Sequence, residues 1–361
     1  SVSLWHALGG ESVSNLYLFV WISLLYLGFT IVDLPYRAWG AELSPDYDER
    51  SRVTGWREAF GYGGTLMSLI IPLILAIALS QSGPANALMG IALVVVIMMP
   101  TLTLPALVWV REMPVRTAPT PINWRRGLKI VVANGPYVRL VMCLVFLVTA
   151  VSMTASLSFF FVQSVMGQGF ETYTYFILAY YLSSAFCIPI WFVISKRLGK
   201  HRTVVLGIVW LSLWSAFIPL MGPDQFEIFF VVMLLKGSAI GALVFLPASM
   251  AADVVDLDTL RTGEQRTGLY FSLWGMVNKG GGALGVFLAT NLAAYYGFDP
   301  SAAENTESAK FVLACLYSVI PALLACVALP LLWKYPLTRE RQHKMRAHIE
   351  RRDARRQARA N

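Results

Sequence analysis

The sequence predicts an all-α polytopic membrane protein, and three observations predict it. Of its 361 residues, 57% are apolar and only 14% are charged, against about 25% charged in an ordinary soluble domain. The apolar residues gather into runs of membrane-crossing length, and the basic residues gather on one side of alternate runs. Together these exclude a water-soluble globular enzyme, and they make the net charge of +8 a matter of topology rather than of nucleic-acid binding.

Nine runs qualify as spans: residues 16–39, 53–80, 84–110, 136–163, 170–195, 203–221, 226–250, 267–294 and 311–333. A helix rising about 1.5 Å per residue needs around twenty residues to cross roughly 30 Å of hydrocarbon, and each run supplies enough. Of the 29 basic residues, 24 follow the odd-numbered spans, from Arg50 and Arg52 after the first to ten between Lys334 and Arg359 after the ninth. The alternate connections hold one, Lys310, beside acidic Glu171, Asp224, Asp299, Glu304 and Glu307. By the positive-inside rule every odd-numbered span ends in the cytoplasm, and so does the chain.

An internal repeat then sets the expected architecture. Leu34-Pro35, Ala41-Glu42, Arg52, Gly55-Trp56 and Gly61-Tyr62-Gly63-Gly64 recur at a nearly constant offset as Leu246-Pro247, Ala252-Asp253, Arg266, Gly268-Leu269-Tyr270 and Gly280-Gly281-Gly282. Spans one to three therefore match spans seven to nine, which leaves spans four to six without partners ahead of Ser1. The expectation is nine of twelve helices, with the first three absent from this chain and two halves of six in the parent. Residues 1–110 form the rest of the first half, 111–134 a cytoplasmic linker, 135–335 the second half and 336–361 a basic cytoplasmic tail.

Charges inside spans carry the functional information, because each costs at least about 2.5–3.5 kcal/mol at a helix centre unless paired or hydrated. The main cases are Asp33, Arg37, Arg57, Lys236 and Lys279, with Glu42 and Glu58 nearer the cytoplasmic face. Asp33 and Arg37 stand one turn apart and suit a mutual ion pair; Asp33, Arg57 and Lys279 equally suit a wet cavity that binds a polar solute. Thr30, three residues before Asp33, adds a hydroxyl to nearly the same face, so the pair offers oxygen ligands to a cation. Tyr36, Tyr62, Tyr270 and Trp274 are candidates to stack on a sugar. Glu42, Arg52, Asp253 and Arg266 occupy matching repeat positions and suit a charge network that latches the cytoplasmic side.

Other chemistries find little support. Cys143, Cys187, Cys315 and Cys326 lie inside spans and read as packing residues. The histidines show no metal-ligand spacing, and no Walker sequence occurs. Gly280-x-Gly282-x-x-Gly285 sits inside an apolar run, follows no strand, and reads as a close helix-packing face.

The segment from Asp33 to Arg57, the segment from Ala252 to Trp274 and Asn278-Lys279-Gly280-Gly281-Gly282 resemble the glycoside-pentoside-hexuronide:cation symporters, the melibiose permease-like family of the major facilitator superfamily. Lys196-Arg-Leu-Gly-Lys-His-Arg202 is similar to a basic loop that major facilitators carry between two helices of their second half. The resemblance runs from about Leu16 to Trp333. It implies that Asp33 bonds sugar hydroxyls, that Thr30 belongs to the cation site, and that Arg57 and Lys279 stand beside the sugar. Two positions depart from the family pattern: Arg37 replaces a sugar-stacking tryptophan, and Gly275 replaces a sugar-contacting threonine. The extra arginine suits an acidic sugar such as a uronate.

The expected function is cation-coupled symport of a sugar or sugar acid by alternating access, with Na+ or H+ as coupling ion. Neither a cofactor, nor catalytic residues, nor any metal beyond that cation is expected. The protein is expected to work as a monomer in a bacterial inner membrane, without nucleic acid. The alternatives are a lipid-moving or non-transporting sensor relative of the same fold and, less favoured, an integral-membrane transferase.

Overall fold

The computed structural model describes residues 15–42, 60–61, 63–68, 70–71, 74, 84–109, 124–262, 267–302, 304–333 and 335–337. Among these residues the secondary structure is helical, with no strand. The chain divides into two compact units, Ser1–Thr120 and Pro121–Asn361.

In the first unit, α1 (Asn15–Glu42) and α2 (Pro84–Trp109) are the long helices. Both carry apolar side chains around most of their circumference: Leu25, Leu27, Phe29 and Ile31 on α1 and Leu104, Leu107 and Val108 on α2 are more than half exposed. A helix that is apolar all round is stable in lipid and not in water. Most of the second expected span falls outside the described residues.

The second unit runs through α3 (Trp124–Ala133), α4 (Gly135–Ser164), α5 (Phe170–Leu198), α6 (Lys200–Phe217), α7 (Phe226–Thr262), α8 (Thr267–Tyr295) and a last helix in three pieces, α9 (Glu307–Tyr317), α10 (Val319–Val327) and α11 (Leu329–Trp333). Lipid tails are as apolar as leucine, so close backbone packing rather than water exclusion holds such helices together. Glycine provides it. A Cβ on Gly285 of α8 would lie 2.5 Å from the Thr149 carbonyl oxygen of α4, and one on Gly281 would lie 3.3 Å from Val148. Gly237 and Gly241 of α7 bring that helix equally close to Tyr180 and Ser184 of α5. The glycine-rich run is thus a packing face, carried by Gly281 and Gly285, one helical turn apart. Gly280 meets nothing within 4 Å.

The interior of this unit divides into two apolar clusters. One holds Leu140, Leu147, Trp191, Ile208, Leu243, Leu246 and Tyr270; the other holds Met153, Phe161, Phe176, Phe229, Leu313 and Tyr317. The last helix is interrupted at Ser318 and Ala328 because Pro321 and Pro330 have no N–H to donate one turn back. The Tyr317 carbonyl left free by Pro321 accepts instead from the Thr154 hydroxyl of α4 at 3.1 Å. Cys143 is fully buried in the first cluster.

The span count stays open, and three details of the expected elements change. Six helices among the described residues are long and apolar enough to span a membrane, and Phe19–Asp33 is a shorter apolar stretch; nine of twelve remains an expectation. The eighth expected span forms a 29-residue helix but is not one of the six, because Ser272, Asn278, Lys279, Thr290, Asn291 and its glycines dilute its hydropathy. The linker 111–134 includes the helix α3, and α7 continues twelve residues past its expected end, since nothing between Met250 and Thr262 breaks a helix.

Candidate functional site

Five of the expected site residues lie on α1. The 3.6-residue period places Thr30, Asp33 and Arg37 on one face, with Tyr36 three residues beyond Asp33. The Thr30 hydroxyl donates to the Tyr26 carbonyl one turn back at 2.6 Å, which commits its proton to the backbone and keeps the oxygen an acceptor, the polarity a cation ligand requires. Asp33 is half-buried and Tyr36 is 51% exposed. Arg37 and Glu42 lie within the helix, while Arg52, Arg57, Arg266 and Tyr62 lie outside the described residues.

Three more lie on α8 of the second unit. Gly281 and Gly285 pack one side of this helix against α4, and Lys279, Met276 (68% exposed) and Phe287 (60%) stand exposed elsewhere around it. A lysine near the middle of a long, largely apolar helix is costly against lipid. Gly275 has nothing within 4 Å of its added Cβ, so packing does not demand glycine there. Trp274 is half-buried against the first cluster, and its carbonyl accepts from Asn278 Nδ2 at 2.9 Å.

Tyr270, a candidate for sugar stacking, has a different role. It is 1% exposed, meets the Tyr137 ring edge-on at 4.7 Å between centroids, accepts from Asn134 Nδ2 at 3.1 Å, and lends its carbonyl to the Tyr137 hydroxyl at 2.6 Å. Its ring, hydroxyl and carbonyl all serve to join α8 to the start of α4.

Of the four charges expected at the cytoplasmic gate, Glu42 ends α1 and Asp253 lies within α7, and one partner of Asp253 is a base the sequence did not pair with it. Lys200, the first residue of α6, bonds the Asp253 carboxylate of α7 at 2.5 Å, with side chains 31% and 9% exposed. The signal was present in the basic loop 196–202, but 53 residues separate the partners. Tyr335 closes the same end by donating to the Pro136 carbonyl at 3.2 Å; burial, and then the Asp253 charge, push its phenol above the ordinary tyrosine range. Lys200→Met is expected to destabilise the folded protein by about 1–3 kcal/mol, because it removes a cationic partner from a buried carboxylate. A double-mutant cycle with Asp253→Asn measures this, and two independent, additive losses would contradict it.

Lys236, in the first third of α7, is 3% exposed, and its Nζ lies 4.8 Å from the Tyr317 ring centroid with no hydrogen-bond partner among the described residues. Helices α4, α6 and α8 contain no acidic residue, and Glu171 and Glu307 sit in the first turns of α5 and α9. A ring face returns only about 0.5–2 kcal/mol, less than the cost of burying an unpaired ammonium. Lys236→Met is therefore expected to raise stability by about 1–3 kcal/mol, read as a higher melting midpoint in detergent. A lower midpoint would show that the amine is held by a partner.

Comparison with known proteins places this arrangement. The lysophosphatidylcholine symporter 1-A of Danio rerio, a sodium-dependent symporter by name, is 25% identical over 61% of this chain and 42% of its own length. An uncharacterized symporter of Synechocystis, sll1374, is 25% identical over 87% of this chain and 73% of its own. The inner membrane symporter YicJ of Escherichia coli is 23% identical over 85% and 66%. The chain spans about two fifths of the length of the lysophosphatidylcholine symporter that it matches. A family model described as MFS/sugar transport protein matches residues 1–339. With spanning helices, charged residues within them and symporters as its relatives, the chain belongs to the MFS/sugar transport protein family of the major facilitator superfamily, a family of transporters rather than enzymes.

Proposed function

We propose that the protein is a cation-coupled symporter of a sugar or sugar acid that opens its binding site alternately to the two sides of the membrane. The observation that carries this reading is the placing of polar and charged groups in otherwise apolar helices: Thr30 and Asp33 on one face of α1, and Lys279 on an exposed face of α8. Intramembrane ionisable residues mark solute and ion pathways. In this reading Asp33 accepts hydrogen bonds from sugar hydroxyls and shares with Thr30 the coupling cation, Na+ or H+. Arg37, Arg57 and Lys279 attract an acidic group, while Tyr36 and Trp274 offer ring faces. Gly275 leaves room for a bulkier solute than the family's threonine would admit. The cation gradient supplies the work, about 2.3 kcal/mol per charge per 100 mV of membrane potential. Asp253, with Glu42, Arg52 and Arg266, latches the cytoplasmic side. The expected setting is a bacterial inner membrane with the C-terminus in the cytoplasm, as the alternation of basic residues supports.

Competition for uptake tests the substrate class. Uronates are expected to compete and neutral disaccharides to compete weakly; the reverse order would remove the acidic-sugar part of the reading. A second reading, movement of a lysophospholipid, is favoured by the similarity to symporters named for lysophosphatidylcholine. Efflux of a labelled lysophospholipid unaffected by any sugar would support it.

A further inference from the structure

We propose that α3 is an interfacial anchor that docks on the anionic lipid headgroups beside the entry of α4. The helix is tied at one edge: Gly127 and Val131 (3% exposed) are buried, and Val131 belongs to the first apolar cluster. Its other edge has no partner among the described residues. Leu128 (40% exposed) and Val132 (63%) stand one turn apart, with exposed Lys129 between them in sequence. The helical period places residue 125 on the same arc as residues 128, 129 and 132, with residue 126 at its margin.

Position makes lipid the occupant. Asn134, the one non-helical residue between α3 and α4, holds the junction: its amide donates to the Val131 carbonyl, and its carbonyl accepts from the Val138 amide. Gly135 then opens a 30-residue apolar helix, so α3 ends where hydrocarbon begins. Charge agrees. Between Glu112 and Glu171 the chain has five basic residues, Arg116, Arg125, Arg126, Lys129 and Arg139, and no acidic one. Aliphatic side chains flanked by bases, with Trp124 at the helix start, suit the headgroup and acyl boundary of an anionic leaflet. A second copy of the chain fits poorly, because two aliphatic side chains fall far short of the roughly 800 Å² per partner of a stable interface, and its own bases would face these.

Which leaflet this is rests on the orientation proposed above; the docking does not. The test is a nitroxide at Val132→Cys in the full chain, reconstituted in phosphatidylcholine vesicles with and without about 30 mol% phosphatidylglycerol. Expected is an oxygen-accessible, nickel-protected label about 5 Å below the phosphates with phosphatidylglycerol. The label should rise toward water without that lipid and in the Arg125→Gln/Arg126→Gln/Lys129→Gln variant. A label exposed to nickel in both vesicles, one shielded from both reagents, or a depth indifferent to lipid charge would overturn the proposal. None of these outcomes depends on uptake, so failure of the symporter reading would leave this result legible.

Discussion

Replacing Asp33 by asparagine is expected to lower cation-driven uptake by about 100-fold or more while leaving the folded protein intact. The two side chains are nearly the same size, and Asp33 is half-buried on α1, so packing changes little. On the proposed function, what is lost is the charge that strengthens hydrogen bonds to a sugar and attracts a cation. Hydrogen bonds to a charged group are worth about 1.5–3 kcal/mol, and 1.36 kcal/mol is one factor of ten. Initial uptake rates in proteoliposomes, beside a melting midpoint in detergent, measure the two effects separately. Undiminished, still coupled uptake would remove Asp33 from the site. A lost midpoint would assign the residue to an ion pair, the other role open to a carboxylate one turn from Arg37.

The second large effect concerns the helix contact that organises the second unit. Gly285→Ala would place a methyl group 2.5 Å from the Thr149 carbonyl oxygen, 2.8 Å from Ser152 Cβ and 3.0 Å from the Met153 amide nitrogen of α4. Two of these atoms are backbone, so no side-chain rotation relieves the clash, and the helices must separate along their tightest seam. A loss of at least about 2 kcal/mol is expected, with a falling yield of monodisperse protein. Gly275→Ala, ten residues earlier on the same helix with open space around it, is expected to shift stability by less than about 0.5 kcal/mol. Equal effects of the two substitutions would contradict the α4–α8 packing described here.

The helices were legible in the sequence because bilayer thickness sets a length that few other structures demand, and runs such as 136–163 and 170–195 are too long and too apolar to be anything else. The tight glycine seam was legible too, though not which glycines form it: the choice between Gly280 and Gly281 depends on how far α8 is rotated, which only its neighbours decide. Partners distant in sequence were the part that composition could not reach. Asp253 was readable as a gate charge and Lys200 as a loop base, yet their pairing follows from the antiparallel run of α6 and α7. Tyr270 was only one of four candidates for stacking on a sugar because an aromatic beside a glycine-rich span looks alike whether it faces solute or core, and only the ring of Tyr137 against it separates the two. The amphipathic α3 was hidden in a segment whose net charge suggested a plain linker.

The most direct test of the central claim is uptake of a labelled uronate by the full-length protein in proteoliposomes, driven in turn by an inward Na+ gradient and an inward H+ gradient. Accumulation above equilibrium under one of the two, abolished by the matching ionophore, is the predicted result. Uptake indifferent to both gradients for every sugar tried, with lysophospholipid moving under the same conditions, would contradict it.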